Sequence, residues 1–270
     1  MQANTPHPSF DRWSQNPQAT ARVALACLDL TSLNDADTEA DIARLCERAQ
    51  GPFGPVAAVC VWPRLAAFAR RQLPATIAVA AVANFPDGSS DVARAINDAH
   101  AIVQSGAQEV DLVLPYRLLQ AGNTAGVSQL LSAVRKASEA LRLKVILETG
   151  ELQSEALIAQ AAQLALDAGA DFLKTSTGKT PVSATPAAAH LLLGAIAGNP
   201  HAAGRVGFKP SGGIRTVADA AVYIALCEDY LGANALTPSR FRIGASSVLT
   251  DIEAVLGQTG RASSSPDGAY

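Results

Sequence analysis

Short apolar runs alternate with longer amphipathic ones along almost the whole chain, and this alternation constrains the fold more than any other feature. Eight runs carry a strand signal: Val23–Leu28, Ala57–Val61, Thr76–Val82, Glu109–Leu114, Lys144–Leu147, Asp171–Lys174, Val206–Lys209 and Phe241–Ile243. Most are nearly continuous in apolar residues, as expected for strands covered on both faces of a parallel sheet. Helical patterns lie between them. Thr38–Gln50 follows Asp35 and Asp37 and sets Ile42, Leu45 and Cys46 on one face. Val92–Gln104 aligns Ala95, Ile96, Ala99 and Val103 ahead of Gly106, and Glu155–Ala168 aligns Leu157, Ile158, Ala161, Leu164 and Ala165 ahead of Gly169. Polar starts and glycine stops are ordinary helix punctuation. The linkers are short, so residues 21–257 read as one α/β domain, a (β/α)8 TIM barrel by count of units. An open doubly wound sheet is the alternative. Residues 1–20, rich in Pro, Asn and Gln, read as an N-terminal extension, flexible or a short helix. Residues 258–270, "QTGRASSSPDGAY", read as a mobile tail.

Composition narrows the function classes. The chain has 270 residues and a net charge of −3, with no basic footprint for a nucleic acid. Cys27, Cys46, Cys60 and Cys227 are scattered, without a CxxC pair, which fits a reducing cytoplasmic setting and neither a zinc ribbon nor a redox pair. The first residues lack the basic start and apolar core of a secretory leader, and no run is long and apolar enough to span a membrane. His7, His100, His190 and His201 are dispersed and end no strand run, so no metal site is expected. Arg70-Arg71 and Arg135-Lys136 read as solvated helix faces.

In a barrel, chemistry collects where the strands end. The runs end with Asp29 and Thr31, Cys60, Asn84, Asp111 inside "EVDLVLPY", Glu148, Lys174, Lys209 and "IGASS". Burying an unpaired charge is costly. Two lysines and up to three carboxylates on one rim are either a structural salt-bridge network or a reactive site. A free lysine, with a pKa of about 10.4, is a neutral amine only about once in a few thousand molecules at neutral pH. Burial disfavours the ammonium. A second ammonium at about 5 Å, with an effective dielectric near 20, adds roughly 3 kcal/mol, about 2 pK units. Lys174 and Lys209 end adjacent strand runs, so one can become the nucleophile that forms a Schiff base with a carbonyl. Chemistry alone leaves open which one. Asp111 could hold Lys209 or a water and relay protons.

Glycines supply a second signal. "SGGIRT" (211–216) follows run seven, and "GASS" (244–247) follows run eight and opens a helix. Such loops are a recurrent phosphate site: glycine amides approach the anion, and the helix N-terminus favours it. Ser246 and Ser247 add hydroxyls. "TGK" (177–179) can close the third side with an amide and an ammonium.

At these residues the sequence resembles the deoxyribose-phosphate aldolase family. The resemblance is carried in order by "LDLTSLN", "AAVCVWPR", "ANFPDG", "GAQEVDLVLPYR", "KVILETGEL", "GADFLKTSTGK", "VGFKPSGGIRT" and "FRIGASS", from about Leu28 to Leu249. It implies a (β/α)8 barrel and a class I, metal-free and cofactor-free aldolase. The reaction implied cleaves 2-deoxy-D-ribose 5-phosphate to acetaldehyde and D-glyceraldehyde 3-phosphate, in deoxynucleoside breakdown. It implies Lys174 as the Schiff-base lysine, Lys209 as the lysine that perturbs it and takes part in proton transfer, and Asp111 as the partner of Lys209. Phosphate would lie on Gly178, Lys179, Gly212, Gly213, Gly244, Ser246 and Ser247, with Asp29, Thr31 and Cys60 lining the pocket. In some similar members a C-terminal tyrosine enters the site; Tyr270 is the candidate here, with different spacing before it. The resemblance is compatible with a homodimer. Another phosphosugar barrel, such as a transaldolase or an isomerase, and a silent phosphosugar-binding protein are the competing readings.

Overall fold

The computed structural model of the protein describes residues 8–258. Two helices come first, α1 (Pro8–Ser14) and α2 (Pro17–Ala26), then β1 (Leu28–Thr31) and α3 (Glu39–Arg48). The βα pattern continues with β2 (Ala58–Val61), α4 (Pro63–Gln72), β3 (Ala78–Ala83) and α5 (Val92–Gln104). Next are β4 (Glu109–Val113), α6 (Tyr116–Gln120), α7 (Thr124–Ala137), β5 (Arg142–Ile146), α8 (Thr149–Leu152) and α9 (Glu155–Asp167). The last units are β6 (Phe172–Lys174), α10 (Pro186–Gly198), β7 (Gly207–Lys209), α11 (Val217–Leu231), β8 (Ile243–Ala245) and α12 (Val248–Gly257).

All strand pairs are parallel, in the order β7-β6-β5-β4-β3-β2-β1-β8. Parallel bridges Phe208↔Phe241 and Ser211↔Gly244 join β7 to the β8 segment and close the ring. This is the (β/α)8 barrel expected from the alternation. Nearly every strand residue is buried, because helices cover the outside and the lumen is filled. The helices start at side-chain caps: Asp91 on Arg94 N, Ser154 on Leu157 N, and reciprocal capping boxes at Thr38/Asp41 and Thr216/Asp219.

Three expectations change. Val23–Leu28 is not the first strand. Residues up to Ala26 belong to α2, capped by Asn16 on Ala19 N, with Thr20, Ala21, Ala24 and Leu25 buried at helical spacing. A short apolar run does not distinguish the two states, and here the cap and the proline in the first turn decide for helix. The eighth strand is Ile243–Ala245, two residues later than its apolar run, because Phe241 makes a single bridge to Phe208. Arg70 and Arg135 are not merely solvated. Arg70 donates to Leu73, Pro74 and Ile77 carbonyls, and Arg135 to Ser138 and Leu141 carbonyls, so each clasps the turn that leads into the next strand.

Within the N-terminal extension, α1 packs on α11. Trp13 is buried and donates its indole N–H to Glu228, which also takes Arg12 at 2.7 Å. Among the described residues, no helix is long and apolar enough to cross a membrane.

Candidate active site

Lys174 is the last residue of β6 and Lys209 the last of β7, paired side by side in the sheet register. Their side chains turn into the lumen because neighbouring positions, Leu173 and Phe208, face the helices in the core. There they meet on one oxygen: Asp111 Oδ2 accepts from Lys174 Nζ at 2.7 Å and from Lys209 Nζ at 2.7 Å. The two nitrogens therefore lie within twice that distance of each other. Lys174 is only 2% exposed and Lys209 fully buried, so bulk water screens neither charge.

The two lysines diverge electrostatically. Burial presses the Lys174 ammonium toward the neutral amine; Asp111 opposes this, Lys209 reinforces it, and the balance lies below the ordinary lysine range. Burial acts on Lys209 in the same sense, but Asp111 and Asp29 together outweigh it and hold Lys209 charged, above the ordinary range. Asp111 is buried, yet its three lysine neighbours keep it ionised, well below the usual carboxylate range.

Below these groups lie charges that the strand-end reading passed over. Lys144 of β5 pairs with Glu109 Oε2 at 2.5 Å, Asp111 Oδ1 at 2.9 Å and Asp29 Oδ2 at 3.2 Å. Arg242, just ahead of β8, pairs with Asp29 Oδ1 at 2.5 Å and Glu109 Oε1 at 2.7 Å. Asp29 does not line the pocket surface. It is fully buried in this ion cluster, held by Lys209, Lys144 and Arg242. The signal was present in the sequence: Glu109, Lys144 and Arg242 are charges inside apolar strand runs, as unusual as Lys174 and Lys209.

Cys60 is buried, with Sγ 4.0 Å from Asp111 Oδ2; burial and that carboxylate push its thiol up, so it remains protonated. All four cysteines are buried and free. Among the described residues, no group of three or more His, Cys, Asp or Glu side chains is placed to hold a metal ion.

A cavity of about 300 Å³ opens beside the cluster, separated from the Lys209 side chain by Gly244 and Ser211; neither Lys174 nor Lys209 lines it. Its walls are the end of β1 and the loop after it (Thr31–Asn34), the loop after β6 (Thr177–Lys179), the loop after β7 (Ser211–Arg215) and the end of β8 with its turn into α12 (Gly244–Ser247). Thr31, Gly178, Lys179, Gly212, Gly213, Gly244, Ser246 and Ser247 thus share one cavity. Asn34, Ser211 and Arg215 line it as well; the sequence marked the "SGGIRT" loop for its glycines, without singling out these three side chains. Gly244 forms the floor: a Cβ there would sit 3.0 Å from Lys209 Cε and 2.6 Å from Ser211 Oγ, so only glycine lets the lysine pass beneath. Gly212 has φ +82°, and a Cβ there would meet Ser183 Oγ at 2.6 Å. Ser247, at the N-cap of α12, makes no side-chain cap bond.

Side-chain straps hold the loops. Ser176 Oγ donates to Ser211 O, and Ser211 N donates to Thr175 Oγ1 at 3.0 Å. Glu148, buried and left-handed at φ 53°, accepts from Thr177 Oγ1 at 2.5 Å and Thr180 Oγ1 at 3.2 Å. Lys179 Nζ reaches across the cavity to Leu33 O at 2.7 Å. Tyr270 lies outside the described residues.

A barrel whose rim joins a two-lysine, one-carboxylate cluster to a glycine-walled cavity is a restrictive combination, and comparison with known proteins identifies its kin. The sequence matches the model of the DeoC/LacD family aldolases over residues 23–250. The chain belongs to that family. A curated deoxyribose-phosphate aldolase from Agrobacterium fabrum (strain C58) is 48% identical over 245 residues, 90% of this chain and 93% of the relative. Among solved structures, a putative deoxyribose-phosphate aldolase from Toxoplasma gondii ME49 superposes with a TM-score of 0.82 at 26% identity, covering 91% of this chain and 97% of its own. A putative deoxyribose-phosphate aldolase from Coccidioides immitis gives 0.76 at 26% identity, covering 94% and 99%. A tetrameric deoxyribose phosphate aldolase from Aeropyrum pernix, 22% identical, shares the fold with a TM-score of 0.73 over 96% of this chain and 100% of its own. Within the DeoC/LacD family barrel, the strand-end lysines and the glycine-walled cavity sit on the same C-terminal face of the sheet, where barrel enzymes carry their chemistry.

Proposed function

We propose that this protein is a 2-deoxy-D-ribose 5-phosphate aldolase, a carbon–carbon lyase that releases acetaldehyde and D-glyceraldehyde 3-phosphate through a lysine imine. The observation that carries the reading is the shared oxygen of Asp111, which accepts from both Lys174 and Lys209 at 2.7 Å beside the glycine-walled cavity; burial shifts Lys174 toward the neutral amine while Asp111 and Asp29 hold Lys209 charged.

The steps follow from the geometry. The neutral Lys174 amine adds to the substrate aldehyde at C1 and water leaves, giving a protonated imine. The C3 hydroxyl gives up its proton, the C2–C3 bond breaks, and its electron pair moves into the iminium to form an enamine. Glyceraldehyde 3-phosphate departs. C2 of the enamine then takes a proton, and water hydrolyses the acetaldehyde imine to restore the amine. Lys209 and Asp111 are the buried proton-handling pair beside these atoms, with Asp29 holding Lys209 from below. Thr31 lines the cavity; Cys60, fully buried against Asp111, does not reach its wall, and no thiol nucleophile is needed. The substrate phosphate is assigned to the glycine amides of 178, 212, 213 and 244, the Ser246 and Ser247 hydroxyls, the Lys179 ammonium and the start of α12. Remote phosphate binding fixes C1 over Lys174, which converts affinity into orientation. Cytoplasmic residence, a homodimeric state and a proton-relay role for Tyr270 complete the reading.

Borohydride trapping tests it. Incubation with acetaldehyde or deoxyribose 5-phosphate, reduction and peptide mapping should place a two-carbon adduct on Lys174. An adduct on Lys209 would exchange the two lysine roles. The absence of any adduct in a protein that still binds inorganic phosphate would refute the imine reading.

A further inference from the structure

The charged lumen contains more groups than the reaction consumes. Three cations each reach at least two carboxylates. Lys144 contacts Asp29, Glu109 and Asp111; Lys209 contacts Asp29 and Asp111, both within 2.7 Å; Arg242 contacts Asp29 and Glu109, both within 2.7 Å. Among the described residues, Lys174 reaches a single carboxylate oxygen, Asp111 Oδ2, which already accepts from Lys209. We propose that Asp29, Glu109 and Asp111 are matched one for one by Lys144, Lys209 and Arg242, and that this balance makes Lys174 the uncharged amine. The proposal rests on the aldolase reading and adds Lys144, Glu109 and Arg242 as positioning residues that never touch substrate.

Charge conservation in a buried volume carries the argument. With Lys174 neutral, three cations face three carboxylates. A proton on Lys174 would leave one excess positive charge among side chains at most 2% exposed, where water cannot compensate it. Lys174 therefore loses the proton because the other three cations have claimed the carboxylates.

Among the described residues, four further charged or titratable groups lie around Lys174 and its carboxylates. From β2, Cys60 is a protonated thiol. At the end of β5, Glu148 is buried and makes no ion pair; donors from Thr177 and Thr180 and the more distant Lys174 charge favour its carboxylate, but burial outweighs them and pushes it up toward the neutral acid. From the loop after β6, Lys179 is bonded to Leu33 O. At the start of β5, Arg142 reaches Glu109 at 2.7 Å with its side chain 36% exposed, so solvent meets its charge.

The sign of the response is the test. Replacing Lys144→Met leaves one carboxylate unmatched, and a proton on Lys174 restores the balance. Replacing Glu109→Gln leaves one cation in excess and disfavours that proton further. The acid limb of kcat/KM for deoxyribose 5-phosphate cleavage should move up by about one pH unit or more in the first variant and down in the second. A structural disturbance alone would lower activity in both without moving the limbs in opposite directions. Each folded variant is also trapped with acetaldehyde and borohydride. An adduct on Lys174 with limbs unmoved, or moved the same way, overturns the charge balance and leaves the aldolase reading intact. No adduct in the unsubstituted protein overturns that reading first. Should neither variant fold, the unsubstituted chain with 13Cε-labelled lysines decides. The Lys174 signal, identified by its change on reductive ethylation, should titrate at lower pH than those of Lys144 and Lys209. Titration of either of those two first refutes the proposal.

Discussion

Asp111→Asn separates holding the site together from moving its protons. Asp111 accepts three ammonium groups, Lys174 and Lys209 on Oδ2 at 2.7 Å each and Lys144 on Oδ1 at 2.9 Å. Asparagine has the same shape but one acceptor oxygen and an NH2 in place of the other. Whichever way the amide turns, at least one ammonium faces a donor, and the cluster loses a negative charge. Removing one partner of a buried ion pair costs about 3–5 kcal/mol, so the denaturation midpoint should fall accordingly. The consequence for Lys174 has the opposite sense. Asp111 favours its protonated form, so loss of the carboxylate leaves the amine easier to keep neutral. The folded variant should still form a borohydride-trapped acetaldehyde adduct on Lys174. Loss of a positioned proton carrier should lower cleavage about 10²–10⁴-fold. The assay pairs trapping with deuterium exchange at the acetaldehyde methyl group. Exchange within a few-fold of the unsubstituted rate, in a destabilised but folded protein, would refute Asp111 as part of the proton path.

Other perturbations probe the surrounding frame. Gly244→Ala drives a Cβ to 2.6 Å from Ser211 Oγ and 3.0 Å from Lys209 Cε; it should cost about 1–3 kcal/mol in thermal stability and lower kcat, whereas Gly204→Ala, with nothing within 4 Å, should change neither. Glu148→Ala removes the acceptor that holds Thr177 and Thr180, so KM for the phosphorylated substrate should rise more than kcat falls; an unchanged KM in steady-state kinetics would remove Glu148 from the loop's support. Asp29, Glu109 and Asp111 all have folded-state pKa values below their ordinary ones, so their stabilisation is complete above about pH 5 and is lost as pH falls through the carboxylate range and below it. Lys144 and Lys209 are shifted up, so their contribution is complete below about pH 10 and is lost above it; melting temperature against pH should therefore fall off on both sides of a broad plateau.

Much of the fold was readable because local and global signals agreed. Val92–Gln104 has the same bounds in sequence and structure, since Asp91 caps its start and Gly106, at φ +77°, turns the chain just beyond its end. The first strand was misplaced for a physical reason. Val23–Leu28 is as apolar as a buried strand, and only the upstream Asn16-Pro17 start and the burial of Thr20, Ala21, Ala24 and Leu25 reveal a helix that packs on α11 and α12. Lys174, Lys209 and Asp111 were legible because each breaks an apolar run where a barrel keeps its chemistry. Asn34 was not, because it reaches the cavity from a loop whose path depends on Asp37, which accepts from Asn34 N and from Ser32 Oγ.

The partners of the buried charges are the part that no local pattern could supply. Lys209 and Asp29 are 180 residues apart in the chain, and Arg242 and Glu109 are 133 apart. Their meeting is created by ring closure, which brings β8 back to β1 and turns alternate side chains of every strand into one lumen. Individual pairs are therefore invisible until the barrel exists. So is the sum of their charges: Asp171 lies inside a strand run yet pairs with Arg135 away from the lumen, and Asp29 falls beyond its run yet enters the lumen. Once the barrel places them, Asp29, Glu109 and Asp111 face Lys144, Lys174, Lys209 and Arg242, which leaves one cation over. Register and contact distances then single out Lys174, the lysine whose only carboxylate oxygen is shared with another lysine. On the proposed charge balance, reactivity in this barrel is a property of the whole lumen that one residue expresses.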